Sequence, residues 1–475
     1  MNQNKQIEKT PILKKLERFL EHNVIPYQKW YFLFLVIIVL VIPLSRNINA
    51  GNPILIGGES YFHLNQAKEV GWSNFHYLPL SLIQQFLEPA IDYLPLILAI
   101  TFVMIFQSVS RQNGFHYREI FMFLLLLIIS PVFIYSFSSL SSGVYFTLLV
   151  LMGFLFLNGR NKFLRILALF PFVLATFFDL LSTILLLLIQ TIYFQKYLIQ
   201  KERKYSSLLF ISATGFLLFV HGLVLKQPLV LGPFHLQQPI ADLISDLGGL
   251  SGLGFFVLLL SLIGISITWK NKQSRGPYLL LPILIAGYIF STQVIFLLSL
   301  VIIYFASAGF LKLLERKWDL EHLKAFTVLL LILGITFSTL TYLDRINQIG
   351  PLAGEVETLT LLRNSVPPRT LIFSAPESGD YIAYFSRGTP YSTLRDSGQK
   401  INVTKEIFTA AYLDQLSPLL SKEEIYFIYL SEKTLAKLPA NQGLLFLIES
   451  ERFKLIHSHK NNKVWMFKKE DGNIP

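Results

Sequence analysis

Glu59 and His63 stand one helical turn apart in the run Gly57-Gly58-Glu59-Ser60-Tyr61-Phe62-His63-Leu64. Two glycines allow a tight turn, Ser60 is a capping residue type, and a helix beginning there would stack carboxylate and imidazole on one face. Such a carboxylate can take a proton from an attacking group or orient it beside a phosphate. The position also suits a carboxylate without chemistry, since negative charge is favourable at a helix N-terminus, and a lone histidine among aromatics is more often packing.

A second acid, Asp179, interrupts the apolar stretch 164–198. An ionised carboxylate in hydrocarbon costs about 2.5–3.5 kcal/mol, so Asp179 must act as a second catalytic acid or phosphate-side group, be paired, or lie at a water-facing turn. Glu88 and Asp92 flank Pro89 and read either as cavity acids or as helix-end charges. The segment 226–249 adds Lys226 and His235 as substrate contacts, with Asp242 and Asp246 nearby. Lys226 suits a phosphate, which needs positive charge and hydrogen-bond donors; a snorkelling helix-end lysine is the alternative. A zinc site from Glu59, His63, His76 and His235 has no supporting ligand spacing, and His457 and His459 read as one face of a solvated strand. Without cysteine, thiolate catalysis, disulfides and Cys-ligated metals are excluded.

The elements that must position these residues are membrane spans. Of 475 residues 53% are hydrophobic and 15% charged, and mean hydropathy is +0.51, a composition that a water-solvated surface does not sustain. Apolar runs near 30–46, 92–110, 119–136, 143–158, 164–177, 180–198, 207–225, 250–269, 278–291, 293–310 and 325–343 predict about eleven transmembrane helices. The stretch 164–198 breaks at Phe178-Asp179, and 278–310 breaks at Ser291-Thr292-Gln293. Lysine and arginine collect in every second loop, as at Arg111 and Arg118, or at Lys312, Arg316, Lys317 and Lys324. By the positive-inside rule those loops are cytoplasmic, the N-terminus is inside, and everything after 343 is outside. The net charge of +11 is thereby assigned to topology and not to nucleic acid.

Three domains follow: 1–29, a cytoplasmic amphipathic segment with Ile12, Leu13, Leu16 and Phe19 on one face; 30–343, the membrane domain; and 344–475, an extracytoplasmic α/β domain. The last contains β-rich runs at 370–373, 425–430 and 464–467, alternating with amphipathic stretches. No cleavable signal peptide is expected, because the first apolar run starts near residue 30 and no small-residue cleavage site follows. Asn402-Val403-Thr404 is a glycosylation sequon on the outside face, a short pattern common by chance.

A first span followed by an outside loop with an acidic residue before an aromatic pair and His-Leu, then many spans and an outside C-terminal domain, resembles the catalytic subunit of oligosaccharyltransferase and its archaeal and bacterial relatives. These have the C-type glycosyltransferase (GT-C) fold. The resemblance implies that Glu59 occupies the position of the family's essential first-loop acid. The run from Pro376 to Arg387 is similar to the segment carrying the family's WWDYG motif, with Asp380-Tyr381 retained and Ser378-Gly379 in place of the tryptophans. It implies substrate contacts at Asp380, Tyr381 and Arg387. Two departures stand beside it: Ser138 to Gly143 has no carboxylate where a second acidic motif is expected, and Ser291 to Phe296 lacks the family's outside arginine.

The resulting expectation is a membrane glycosyltransferase of the cell envelope, moving a sugar from a polyprenyl-phosphate-linked donor to a glycan, lipid or protein acceptor on the outer face. No cofactor is expected; a divalent metal is the weakly supported alternative, since one carboxylate holds it weakly. The alternative is a non-catalytic GT-C-derived scaffold that binds lipid or glycan in an envelope-assembly complex. A secondary transporter would call for a two-fold repeat and interrupted spans, which are weak here.

Overall fold

The structure, a computed structural model, describes residues 27–70, 78–86, 88–159, 161–197, 201–224, 242–270, 275–316, 318–396, 398–439 and 443–468. The amphipathic face expected at 12–19 lies outside them. The chain forms two compact units, Met1–Pro43 with Tyr93–Ile346, and Leu44–Asp92 with Asn347–Pro475.

The first unit is helical throughout the apolar runs. Among the described residues, four helices are long and apolar enough to cross a membrane: Gln28–Asn49, Ala90–Gln112, Ile295–Glu315 and the run Glu321–Ser365. Shorter apolar helices include Ser142–Leu157, Phe255–Thr268 and Arg275–Phe290. Their outward side chains stay apolar: Phe34 is 65% exposed, Phe216 65% and Phe337 73%. Hydrocarbon, not water, is the solvent such a surface fits. Internally the helices approach through small residues. A Cβ added to Gly264 would stand 1.8 Å from the Phe305 carbonyl oxygen, and one on Gly309 would stand 2.4 Å from that of Leu260. Only glycine lets Phe255–Thr268 and Ile295–Glu315 come that close.

Both expected breaks are present. Leu169–Thr176 and Leu180–Tyr197 are separate helices joined at 177–179, where the Thr183 hydroxyl donates to the Thr176 carbonyl at 3.0 Å. A 3₁₀ turn, Thr292–Val294, separates Arg275–Phe290 from Ile295–Glu315. Asp246 caps a helix from a distance: its carboxylate accepts the Phe255 N–H at 2.7 Å and the Ser338 hydroxyl at 2.6 Å. That accounts for one of the donors left unsatisfied at the start of Phe255–Thr268.

The second unit is built on a five-stranded mixed sheet: β1 Leu371–Phe373, β2 Thr389–Pro390, β3 Phe427–Leu430, β4 Phe453–His459 and β5 Asn462–Phe467, in the order β2-β1-β3-β5-β4. β1 is parallel to β2 and β3, while β5 is antiparallel to β3 and β4. The three β-rich runs of the sequence are β1, β3 and β5. Leu416 and Leu420, one turn apart on Leu413–Lys422, join Ile407, Phe373, Ile428 and Trp465 in one apolar core. The sequon lies in the helix Gln399–Thr409, with Thr404 buried and its hydroxyl donating to the Lys400 carbonyl at 2.8 Å. The segment that carries Glu59 is tied into this unit by two hydrogen bonds: the Gly57 N–H donates to the Gly350 carbonyl at 2.9 Å, and the Ala353 N–H to the Asn52 side-chain oxygen at 2.8 Å.

Candidate active site

Gly57 adopts φ +78°, the left-handed conformation that glycine reaches without strain, and the helix Gly58–Val70 starts directly after it. Glu59 falls in the first turn. Ser60, a capping type by sequence, instead turns its buried hydroxyl back to the Ile56 carbonyl at 2.6 Å. The Tyr61 hydroxyl donates to the Leu55 carbonyl at 2.9 Å. These two bonds strap the loop 55–57 to the helix it precedes. His63 Nε2 lies 3.6 Å from Glu59 Oε1, within ion-pair range when the imidazole is protonated but too long for a hydrogen bond. The turn predicted from spacing therefore does bring the two together.

The facing wall comes from the segment that resembles the family motif. After the 3₁₀ turn Pro376–Ser378, the chain runs through Gly379–Tyr381 into a single π turn, Ile382–Ser386, a form that recurs at functional sites. Asp380 is buried, and a Cβ on Gly58 would meet its Oδ2 at 2.9 Å. The carboxylate therefore sits against the N-terminal turn of the Glu59 helix, where a negative charge is favoured. The Tyr61 ring packs on Tyr381, Tyr384 and Phe385, with centroids 5.5, 5.2 and 5.0 Å away. Lys68, two turns further along the helix, places its Nζ 4.2 Å from the centroid of Tyr384.

Arg395 completes the cluster. Its Nη1 donates to both oxygens of Asp380, at 2.8 Å each. Its Cζ lies 3.6 Å from the centroid of Phe62, so the guanidinium is held against an aromatic face on the Glu59 helix. The Asp380 carboxyl lies above its ordinary value of 3.8, first because it is buried. Arg395, by charge and hydrogen bond, and His63, by charge, pull it back down, while Glu59 adds a push upward. Glu59, His63, Asp380 and Arg395 thus form one electrostatic group.

The other expected residues lie elsewhere. Arg387 is exposed, in a left-handed conformation (φ 57°), and its carbonyl accepts the Arg369 N–H at 2.9 Å; the arginine on Asp380 is Arg395. Nothing in the sequence marked Arg395, which lies 15 residues beyond its partner in an ordinary turn. Asp179 belongs to the first unit and caps Leu180–Tyr197, its carboxylate accepting the Ser182 N–H. It lines a small indentation with Ser142, Gly143, Ser291 and Gln293, so it borders the loop where the second acidic motif was missed. Lys226 and His235, like His76, fall outside the described residues.

A divalent metal does not fit the residues present. A hard cation takes about 6–8 oxygen ligands for calcium, or a near-ideal octahedron for magnesium. Both oxygens of Asp380 are engaged by Arg395. Among the described residues no group of three His, Cys, Asp or Glu side chains converges as a metal site.

No protein-family model matches the sequence, and no curated protein matches it. Solved structures do match. The chain is similar to the archaeal oligosaccharyltransferase AglB from Archaeoglobus fulgidus, solved with an inhibitory peptide and a dolichol-phosphate, at 10% identity and TM-score 0.57 over 94% of this chain and 75% of that one. It is similar to ArnT from Cupriavidus metallidurans at 11% identity and TM-score 0.51, over 92% and 97% of the two chains. It is also similar to the arabinofuranosyltransferase AftD from Mycobacteria at 12% identity and TM-score 0.52, over 94% of this chain and 40% of that one.

Proposed function

The chain has the GT-C fold, and from the cluster around Glu59 we propose that it is a membrane glycosyltransferase which moves a sugar from a polyprenyl-phosphate-linked donor to an acceptor on the outer membrane face. About eleven spans carry it, with the N-terminus cytoplasmic and the sheet-bearing C-terminal part extracytoplasmic as an α/β domain. One observation carries the reading: Glu59 opens a helix whose first turns are gripped by Asp380 and Arg395 and backed by His63 at 3.6 Å. A base placed on a rigid element by fixed partners is what proton abstraction from an acceptor requires. Fold likeness alone would not warrant an activity.

In the reaction the acceptor heteroatom bonds to the anomeric carbon of the donor sugar, and its proton passes to Glu59. The bond from that carbon to the phosphate oxygen breaks, and its electron pair leaves on the lipid phosphate. His63 steadies the Glu59 side chain, and in its protonated form offsets the charge of the carboxylate pair. Asp380 holds the start of the helix, and Tyr381 packs against it through Tyr61. Lys226 and His235 are assigned to the carrier phosphate on residue type, and Asp179 to the rim of the indentation it lines. AglB was solved with dolichol-phosphate, which supports a lipid-linked donor here.

The test is transfer of radiolabel from a panel of polyprenyl-phosphate sugars, in membranes holding the wild-type chain or Glu59→Gln, with folding checked by gel filtration in detergent. Label incorporated by the wild type and lost in the variant supports the reading. No transfer from any donor moves the assignment to a lipid- or glycan-binding scaffold.

A further inference from the structure

Two carboxylates within electrostatic reach of each other attract a divalent cation, because a cation relieves their repulsion and satisfies their oxygens. Glu59 and Asp380 flank the same helix turn: a Cβ on Gly58, the residue before Glu59, would stand 2.9 Å from Asp380 Oδ2. The pair is nevertheless not open to one. Arg395 Nη1 stands 2.8 Å from Oδ1 and 2.8 Å from Oδ2 of Asp380, so a single nitrogen bridges the two oxygens as a metal ion would. Phe62 backs the guanidinium at 3.6 Å, and Phe62 belongs to the same helix as Glu59. Carboxylate, cation and base are therefore held in one frame.

We propose that Arg395 is the resident cation of this acidic cluster, a guanidinium built into the chain where the carboxylates would otherwise gather a divalent metal, and that no such metal binds while Arg395 is in place. The substitution has chemical consequences. A guanidinium stays protonated across the working pH range and cannot be chelated away. It carries one positive charge where a metal carries two, so it balances the single charge of Asp380. The inference concerns the charge of the site and does not depend on which donor or acceptor is used.

Manganese(II) binding, read by electron paramagnetic resonance on the full chain in detergent, tests it without any transfer assay. The wild type is expected to bind no more Mn²⁺ than the Arg395→Ala/Asp380→Asn double variant. Arg395→Ala, with its carboxylates released, is expected to gain one site at least about tenfold tighter than wild type. Arg395→Gln keeps hydrogen-bond donors without the charge and serves the same purpose should Arg395→Ala fail to fold. Stoichiometric Mn²⁺ on the wild type that Glu59→Gln or Asp380→Asn abolishes would overturn the proposal. So would failure of both folded Arg395 variants to gain a site.

Discussion

Gly58 and Asp380 meet so closely that a Cβ on the glycine would stand 2.9 Å from the carboxylate Oδ2. This glycine is required by proximity, since the left-handed turn belongs to Gly57 before it. Gly58→Ala must push Asp380 off the helix start or tilt the helix, which is overpacking at a cost of about 1–3 kcal/mol. Thermal unfolding in detergent should show the loss, and transfer should fall with it. Gly215→Ala is the control: it lies in the helix Lys201–Phe219 with nothing within 4 Å of the added carbon. That variant should be neutral or gain up to about 1 kcal/mol.

Removing the proposed base should cost rate. Glu59→Gln is expected to lower kcat by about 10²–10⁴-fold, the usual worth of a positioned proton acceptor. His63→Gln should cost less than Glu59→Gln, because His63 acts through Glu59 at 3.6 Å. Steady-state transfer rates for the two variants decide the order, and a His63 variant slower than the Glu59 variant would reverse the assignment.

Asp380 gives the site a pH dependence of definite sign. Burial raises its carboxyl above 3.8, so the folded chain holds that proton more tightly than the unfolded chain does. The resulting contribution is fully present below 3.8 and drains away as pH rises through the raised value. Asp380→Asn is neutral at every pH and lacks this slope. The melting temperature of the wild type should therefore fall relative to Asp380→Asn as pH climbs from the ordinary carboxylate range toward neutrality. A gap that stays constant would remove the burial argument.

In the first unit, Gly264→Ala should be more damaging than Gly58→Ala. The obstacle at Gly264 is the backbone of Phe305 at 1.8 Å, which cannot rotate away as a carboxylate can. A cost at the upper end of about 1–3 kcal/mol or beyond is expected, seen as a lost monodisperse peak in gel filtration. Asp246→Ala should cost about 1–2 kcal/mol, because the Phe255 N–H and the Ser338 hydroxyl lose their acceptor together.

What sequence could and could not disclose follows from the range of the forces involved. Apolar runs declare helices because each helix satisfies its own backbone in lipid, and the breaks at Asp179 and at 291–293 showed as polar residues. Glu59 and His63 were legible together because four residues is one helical turn. Asp380-Tyr381 could be placed only by its neighbours in a motif. Arg395 escaped altogether: its role is set by where the turn after β2 brings it, and no local pattern encodes that. Ser60 misled for a related reason, because a capping residue type can spend its hydroxyl on the preceding loop instead, as it does at Ile56. Asp246 caps a helix that starts nine residues later, beyond the reach of any capping box.

The second unit is assembled from chain segments that emerge from the ribosome at very different times. Leu44–Asp92 is made early, and its sheet-bearing partner begins only at Asn347. At about 5–20 residues per second, the Glu59 helix waits roughly 16–65 s before Asp380 and Arg395 exist to receive it. Its Gly57 N–H has no Gly350 carbonyl to donate to until then. The interval acts as a timer on maturation: the Glu59 helix gains its packing partners only once the chain through Arg395 has been made.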